Sequence, residues 1–149
     1  MEYRKLQTSD IDAFVENRIE FVTLIRNIEN VELFREKTRE YIETYINSDN
    51  LIIYIAMENK NIVASCMLCI FQTIPLPSNY SGKVGELLNV YTKQEYRKQG
   101  HSKKLIKLLM DEARKKGVSK IILNYTDEGY HLYKSLGFKE IDTQMEYKL

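Results

Sequence analysis

Apolar residues recur at two spacings along the chain, and the spacing predicts which segments are helices and which are strands. In the first third they recur every three or four residues, the period of one helix face. The first predicted helix follows capping side chains at residues 8–10 and has an apolar stripe of Ile11, Phe14, Val15, Ile19 and Val22. The second follows a break near residues 27–30 and has an inner face of Phe34, Thr38, Tyr41, Ile42 and Tyr45. Each helix is expected to bury one face.

Short runs of β-favouring residues predict the strands of the first two thirds. They cover residues 2–6, 51–57, 62–74 and 84–92. A hairpin turn joins the second run to the third, and a loop containing proline and glycine at 75–85 separates the third from the fourth.

The last third alternates between helix and strand. A helix is predicted at 102–116, ended by Gly117, and a fifth strand at 118–124. A short helix at 129–135 and a final strand or hairpin at 138–149 complete the chain. The predicted order is therefore β-α-α-β-β-β-α-β-α-β, within one domain that spans residues 1–149. Such an order is typical of an α/β fold with a twisted, mixed sheet and helices on both faces.

Charge and composition exclude several classes of partner. The chain has 22 basic and 21 acidic residues and a net charge of +1, whereas nucleic-acid-binding proteins usually carry a marked basic excess. No apolar run approaches the ~20 residues of a membrane helix, and no signal segment follows the N-terminus. Two cysteines without export fit a reducing cytoplasm. With only His101 and His131 available as imidazole ligands, no metal site is expected.

The segment between the fourth strand and the third helix has the features of a phosphate-binding turn. It reads Arg97-Lys98-Gln99-Gly100-His101-Ser102-Lys103. The first-turn N–H groups of a helix have no partner inside the helix, and the positive end of the helix dipole lies there. Gly100 allows close approach of an oxyanion, and the basic side chains add positive charge.

Two common phosphate-binding motifs do not match this turn. A P-loop requires a glycine at position 95 and a Lys-Ser/Thr pair after Gly100, but Glu95 and His101 occupy these places. The three spaced glycines of a dinucleotide-binding fold are also absent. By itself, the turn is equally compatible with an ordinary strand-to-helix connection carrying solvated lysines.

The turn resembles the pyrophosphate loop of the GNAT superfamily of N-acetyltransferases, Arg/Gln-x-x-Gly-x-Gly/Ala. The sequence departs at the last position, where Ser102 replaces Gly or Ala. A second segment, Tyr133-Lys134-Ser135-Leu136-Gly137-Phe138, is similar to the family's Tyr-x-x-x-Gly-Phe motif, and the residues from Asn124 to Gly129 resemble a bacterial branch of small acetyltransferases. The resemblance covers residues 10–138 and implies the GNAT fold, with about six to seven strands and about four helices.

The resemblance implies an acetyl-CoA-dependent transferase that moves an acetyl group to a primary amine by direct attack in a ternary complex. In the family the fourth and fifth strands separate, and free amides of the fourth hold the pantetheine arm and the oxyanion. Here those amides belong to Val90, Tyr91 and Thr92, while residues 97–103 correspond to the pyrophosphate loop and Asn124 to a further coenzyme contact.

Two side chains correspond to catalytic positions. Tyr133 stands where the family places the general acid that protonates the leaving sulfur; packing on the sheet is its alternative role. Glu86 lies six residues before Thr92. In the histone-acetyltransferase branch of the family, a glutamate at about that offset is the catalytic base. A carboxylate there could remove the proton of an amine whose pKa is near ~10.4, but a glutamate on a half-exposed strand is an equally good interpretation.

The acceptor is a small-molecule or peptide amine that the sequence does not identify. The resemblance implies that its pocket is formed by residues 21–32 and the loop 75–85, where Glu20, Glu29 and Glu32 could attract a cation. Two other functions remain open: a non-catalytic acyl-CoA sensor on the same fold, and a nucleic-acid-binding module that uses the lysines of the third helix, which the net charge disfavours. The sequence is also compatible with a homodimer.

Overall fold

The computed structural model describes residues 1–149 and contains a five-stranded sheet and four α-helices. The strands are β1 (Glu2–Lys5), β2 (Leu51–Glu58), β3 (Asn61–Gln72), β4 (Lys83–Thr92) and β5 (Lys120–Ile122). The helices are α1 (Ile11–Ile25), α2 (Val31–Tyr45), α3 (His101–Lys115) and α4 (Asp127–Ser135). Short 3-10 turns precede α1 and follow β4. The predicted α/β class and the number of helices are confirmed.

The sheet is mixed and follows chain order. Its order is β1-β2-β3-β4-β5, and each strand pairs with the next. The first three pairings are antiparallel, and β4 pairs with β5 in parallel. A parallel pair needs a crossover connection, which α3 supplies. The start of α3 therefore lies at the end of β4, beside the place where β5 runs out.

Helices cover both faces of the sheet, which explains why the central strand is so apolar. Helices α1 and α2 pack on one face, and α3 and α4 on the other. Residues 62–68 of β3 are all buried, because both faces of this strand lie under helices. The two cysteines of this strand take part in the two opposite layers: Cys66 faces α3, and Cys69 packs towards α1 and α2.

The C-terminal segment differs from its prediction. Residues 138–149 form no strand, and the sheet has five strands rather than six or seven. Met145, Tyr147 and Leu149 alternate as a strand would, but all three are exposed. Local alternation is not sufficient for a strand, because its backbone groups need an adjacent edge with which to pair.

Strand β5 is also shorter than predicted, with three residues instead of the seven from Val118 to Asn124. Its first predicted residue is used to end α3: the Val118 N–H donates to the Ala113 carbonyl over 3.0 Å, and Gly117 adopts a positive φ of 79°. None of the helices combines the length and apolar character that a membrane-spanning helix requires.

Candidate functional site

The fourth and fifth strands separate part-way along β4. They pair only from Val84 to Glu86, opposite Lys120 to Ile122, whereas β4 continues to Thr92. Successive amides of a strand point alternately to its two sides. Some of the β4 amides beyond Glu86 therefore face a gap where no strand accepts their hydrogen bonds. The gap includes the region of Val90, Tyr91 and Thr92, the residues expected to contact the pantetheine arm.

A β-bulge lies at this gap. Met67 and Ser65 of β3 pair with Leu88 and Tyr91 of β4, so β4 contains one extra residue. Asn89 within it has a positive φ of 54° and is buried. Such bulges increase local twist and redirect a strand. The bulge therefore directs the end of β4 away from the line of β5.

Buried polar groups hold the bulge. The Asn89 side-chain amide donates to Ser65 Oγ over 2.9 Å, and Ser65 in turn donates to Asn17 Oδ1 over 2.7 Å. Arg18 Nη1 donates to Asn89 Oδ1 over 3.1 Å. Asn17 Nδ2 is left without a partner. This network was not predicted from the sequence; its one local signal is an asparagine inside a strand, where the residue is disfavoured.

The turn after β4 presents a continuous row of free backbone donors. None of the N–H groups of residues 98–103 donates a hydrogen bond within the protein. Lys98 and Gly100 have positive φ values of 61° and 83°. Alternation of left- and right-handed conformations turns successive amides towards one side and forms an anion-binding concavity. The dipole of the fifteen-residue α3 adds positive potential at the same point.

The space in front of Gly100 is open. A Cβ atom added there would meet no protein atom within 4 Å. The glycine is therefore not required by packing against the rest of the protein. Its positive φ accounts for the residue type, and the open space leaves room for a ligand at the turn.

Side-chain contacts fix the shape of the turn. The hydroxyls of Thr92 and Ser102 lie 2.8 Å apart, so the serine that departs from the family motif is engaged with β4. Arg97 Nε donates to the Thr92 carbonyl over 3.1 Å. The His101 side chain is buried and Nδ1 lies 2.7 Å from the hydroxyl of Tyr3 in β1. The backbone of His101, rather than its ring, is the part available to a phosphate.

Tyr133 lies on α4 with its hydroxyl unpaired. The side chain is half-buried against the core on the α3 side and meets the Phe138 ring edge-on, with the ring centroids 5.8 Å apart. Gly129 lies beneath the ring: a Cβ there would come within 2.8 Å of Tyr133. Burial raises the pKa of Tyr133 to about 12. The hydroxyl is therefore protonated at neutral pH and has no protein acceptor.

Glu86 lies at the last residue pair before β4 and β5 separate. It is half-buried and shares a strand face with Leu88, which packs against the layer of α1 and α2. Tyr133 belongs to the opposite layer. The acid and base candidates thus lie on opposite faces of the sheet near one gap.

One cavity lies away from the turn after β4. It has a volume of about 1050 Å³ and follows β5, α4 and residues 136–144. Glu86, Asn124 and Tyr133 border it, but none of residues 90–92 or 97–103 does. The cavity therefore lies beside β5 and residues 136–144, and the turn at residues 97–103 does not border it. Asn124 is exposed two residues beyond the end of β5.

The acidic residues expected to attract the acceptor are mostly engaged. Glu20 accepts a hydrogen bond from the Tyr91 hydroxyl over 2.6 Å and lies 3.8 Å from Lys93. Glu32 pairs with Arg35 at the surface of α2. A carboxylate that already has a partner is a weaker attractor for an amine, so these two glutamates do not identify the acceptor site.

Comparison with known proteins agrees with this geometry. The model of the acetyltransferase (GNAT) family matches residues 20–138. A predicted acetyltransferase from Clostridium acetobutylicum, solved with acetyl-CoA, superimposes with a TM-score of 0.88 at 28% identity over 99% of this chain and 95% of the other. A GCN5-related N-acetyltransferase from Ralstonia eutropha superimposes with a TM-score of 0.86 at 21% identity, over 99% of this chain and 97% of the other. For glucosamine-6-phosphate N-acetyltransferase from Arabidopsis thaliana the TM-score is 0.74 at 24% identity, over 99% of this chain and 97% of the other.

Among curated proteins, none shows significant sequence similarity to the chain. The family model nevertheless matches most of the chain, from within α1 to Phe138, whose ring packs on Tyr133. The separated strands, the turn with free amides and the crossover helix all lie inside the matched range. The chain belongs to the GNAT family of acetyltransferases.

Proposed function

We propose that the protein is an acetyl-CoA-dependent N-acetyltransferase that acetylates a primary amine of a small molecule or peptide. The observation that carries the proposal is the row of free N–H groups at residues 98–103, beside the gap between β4 and β5. A pyrophosphate fits this row because backbone donors and a helix dipole converge there, and because the space in front of Gly100 is open. The pantetheine arm then follows the gap towards Glu86 and Tyr133.

The residues around the gap supply the groups that acyl transfer requires. Those amides of residues 90–92 that face the gap stabilise the oxyanion that forms when the amine nitrogen attacks the acetyl carbonyl. Glu86 accepts the amine proton, directly or through water. As the carbon–sulfur bond breaks, Tyr133 donates its proton to the leaving sulfur. Its pKa of about 12 keeps that proton in place until the thiolate forms.

A screen for thiol release tests the proposal. The protein is incubated with acetyl-CoA and a library of primary amines, and free CoA is measured together with the mass of the acetylated product. We expect at least one amine to release CoA in a one-to-one ratio with N-acetyl product. If acetyl-CoA binds but no amine is acetylated, the protein is an acyl-CoA sensor rather than an enzyme.

A further inference from the structure

Arg18 is an arginine of α1 whose charge has no counter-ion. The other arginines except exposed Arg26 pair with carboxylates: Arg4 with Asp10, Arg35 with Glu16, Arg39 with Asp12, Arg97 with Glu128, and Arg114 with Asp111. Arg18 is half-buried and makes one hydrogen bond within the protein, to Asn89 Oδ1. A guanidinium has five N–H donors, so most of them are unused.

The surroundings of Arg18 make an unpaired charge costly. Its guanidinium carbon lies 5.5 Å from the centre of the Phe34 ring of α2. Burial lowers the pKa of Arg18; an electrostatic interaction with Cys69 raises it, and the nearby charge of Arg26 lowers it. An arginine nevertheless stays charged at neutral pH. A half-buried cation without a counter-ion can gain one from an anionic ligand, because a partly desolvated charge is costly unless it is paired.

A carboxylate lies near the same spot. Cys69 of β3 pairs directly with Glu86 of β4. Burial raises the pKa of the Cys69 thiol, a hydrogen bond with Tyr41 and the charge of Arg18 lower it, and the charge of Glu86 raises it. Arg18 and Glu86 therefore flank this thiol without pairing with each other.

The two charges lie close enough together for one small ligand to reach both. Asn89, the hydrogen-bond partner of Arg18, is three residues from Glu86 on β4, and both charged side chains lie next to Cys69. Arg18, Phe34 and Glu86 are half-buried and Tyr41 is exposed, so this cluster reaches the surface between α1, α2 and the sheet.

We propose that the acceptor is a small amine that also carries an anionic group, a carboxylate or a phosphate. The anion binds the guanidinium of Arg18, and the amine lies at Glu86 beside the gap. This inference rests on the proposed function, since it uses the same gap and the same base. It names the chemical class of the acceptor and makes Arg18 the residue that determines specificity.

Matched pairs of amines test the proposal. The carboxylate pair is 4-aminobutyrate against 4-aminobutanamide, and the phosphate pair is phosphoethanolamine against ethanolamine. Each rate is divided by the concentration of the unprotonated form of the amine, so that differences in amine pKa do not contribute. Charge-assisted hydrogen bonds are strong enough that the anionic member of at least one pair should have a kcat/KM higher by roughly tenfold or more. The pair that shows the larger ratio distinguishes a carboxylate from a phosphate.

Arg18→Gln should reduce the ratio of kcat/KM for the anionic amine to kcat/KM for the neutral amine to about one, mainly because the KM of the anionic amine rises. Arg18→Lys should restore part of that ratio. Arg114→Gln is the control, because it removes the same charge from the exposed surface of α3. CoA affinity of Arg18→Gln is measured as well. A loss of CoA affinity together with all activity would mean that Arg18 only holds the bulge at Asn89, which would overturn the inference.

Equilibrium binding of the anionic amines to the CoA complex gives a readout that does not depend on turnover. If no amine is acetylated but 4-aminobutyrate or phosphoethanolamine binds wild type and not Arg18→Gln, the proposed function fails and the anion site stands. If neutral and anionic amines are acetylated equally well, or if neither anionic amine shows binding that depends on Arg18, the anion site is refuted and the acetyltransferase proposal is unaffected.

Discussion

Replacing Gly100 by valine isolates the contribution of the turn after β4. Gly100 has a φ of 83°, and a side chain there would enter open space within the turn whose amides, at residues 98–103, are free. The substitution should therefore affect the fold through backbone strain and the ligand through steric block. A non-glycine residue in a sparsely populated backbone region costs about 1–3 kcal/mol, against a total stability of about 5–15 kcal/mol for a typical domain.

The expected loss of coenzyme binding is larger than the loss of stability. Hydrogen bonds to charged groups contribute about 1.5–3 kcal/mol each. If the valine side chain displaces the pyrophosphate from two amides, about 3–6 kcal/mol is lost, which weakens CoA binding by roughly a hundredfold or more. Titration calorimetry with CoA and urea unfolding measure the two effects on the same protein.

Gly137 supplies a matched control. It has a φ of 93°, and a Cβ atom there would also meet no protein atom within 4 Å. It ends α4, and its N–H already donates to the Lys134 carbonyl over 3.1 Å. Gly137→Val should lose similar stability and keep its CoA affinity. Equal CoA affinity in folded Gly100→Val and Gly137→Val would refute the assignment of the turn as the pyrophosphate site.

Three further predictions concern the catalytic groups and pH. Tyr133→Phe should lower kcat by roughly tenfold to a hundredfold and leave CoA affinity within about a fewfold, because only the proton donor is lost; normal turnover would mean that another group protonates the sulfur. Glu86→Gln should lower the rate at neutral pH and recover as pH approaches the pKa of the amine, whereas parallel pH profiles would assign Glu86 a structural role. Stability should fall between about pH 10 and 12, since burial raises the pKa of Tyr54 and Tyr133 to about 12 in the fold while tyrosines of the unfolded chain ionise near ~10. Urea unfolding at successive pH values measures this, and constant stability across that range would contradict it.

The sequence by itself determined most of the elements and the turn with free amides after β4, because both depend on local features. The apolar stripes of α1 to α3 and the alternating or continuous runs of β1 to β4 are periodic in the sequence, and Gly117 marks the end of α3. The order of these elements limits the topologies that can form, since a parallel pair requires a crossover helix. Free amides at the start of a helix after a glycine are likewise a property of adjacent residues.

The tertiary structure alone decided the features that join distant parts of the chain. The bulge at Asn89 depends on Ser65 and Arg18, and the buried ring of His101 depends on Tyr3, 98 residues away. No local pattern encodes such pairs, because each residue alone is compatible with many environments. The C-terminal residues show the converse: their alternation predicts a strand, but a strand exists only where a neighbouring edge accepts its hydrogen bonds. The proposed recognition of the acceptor belongs to this second group, since Arg18 and Glu86 flank Cys69 only when α1 packs on the sheet.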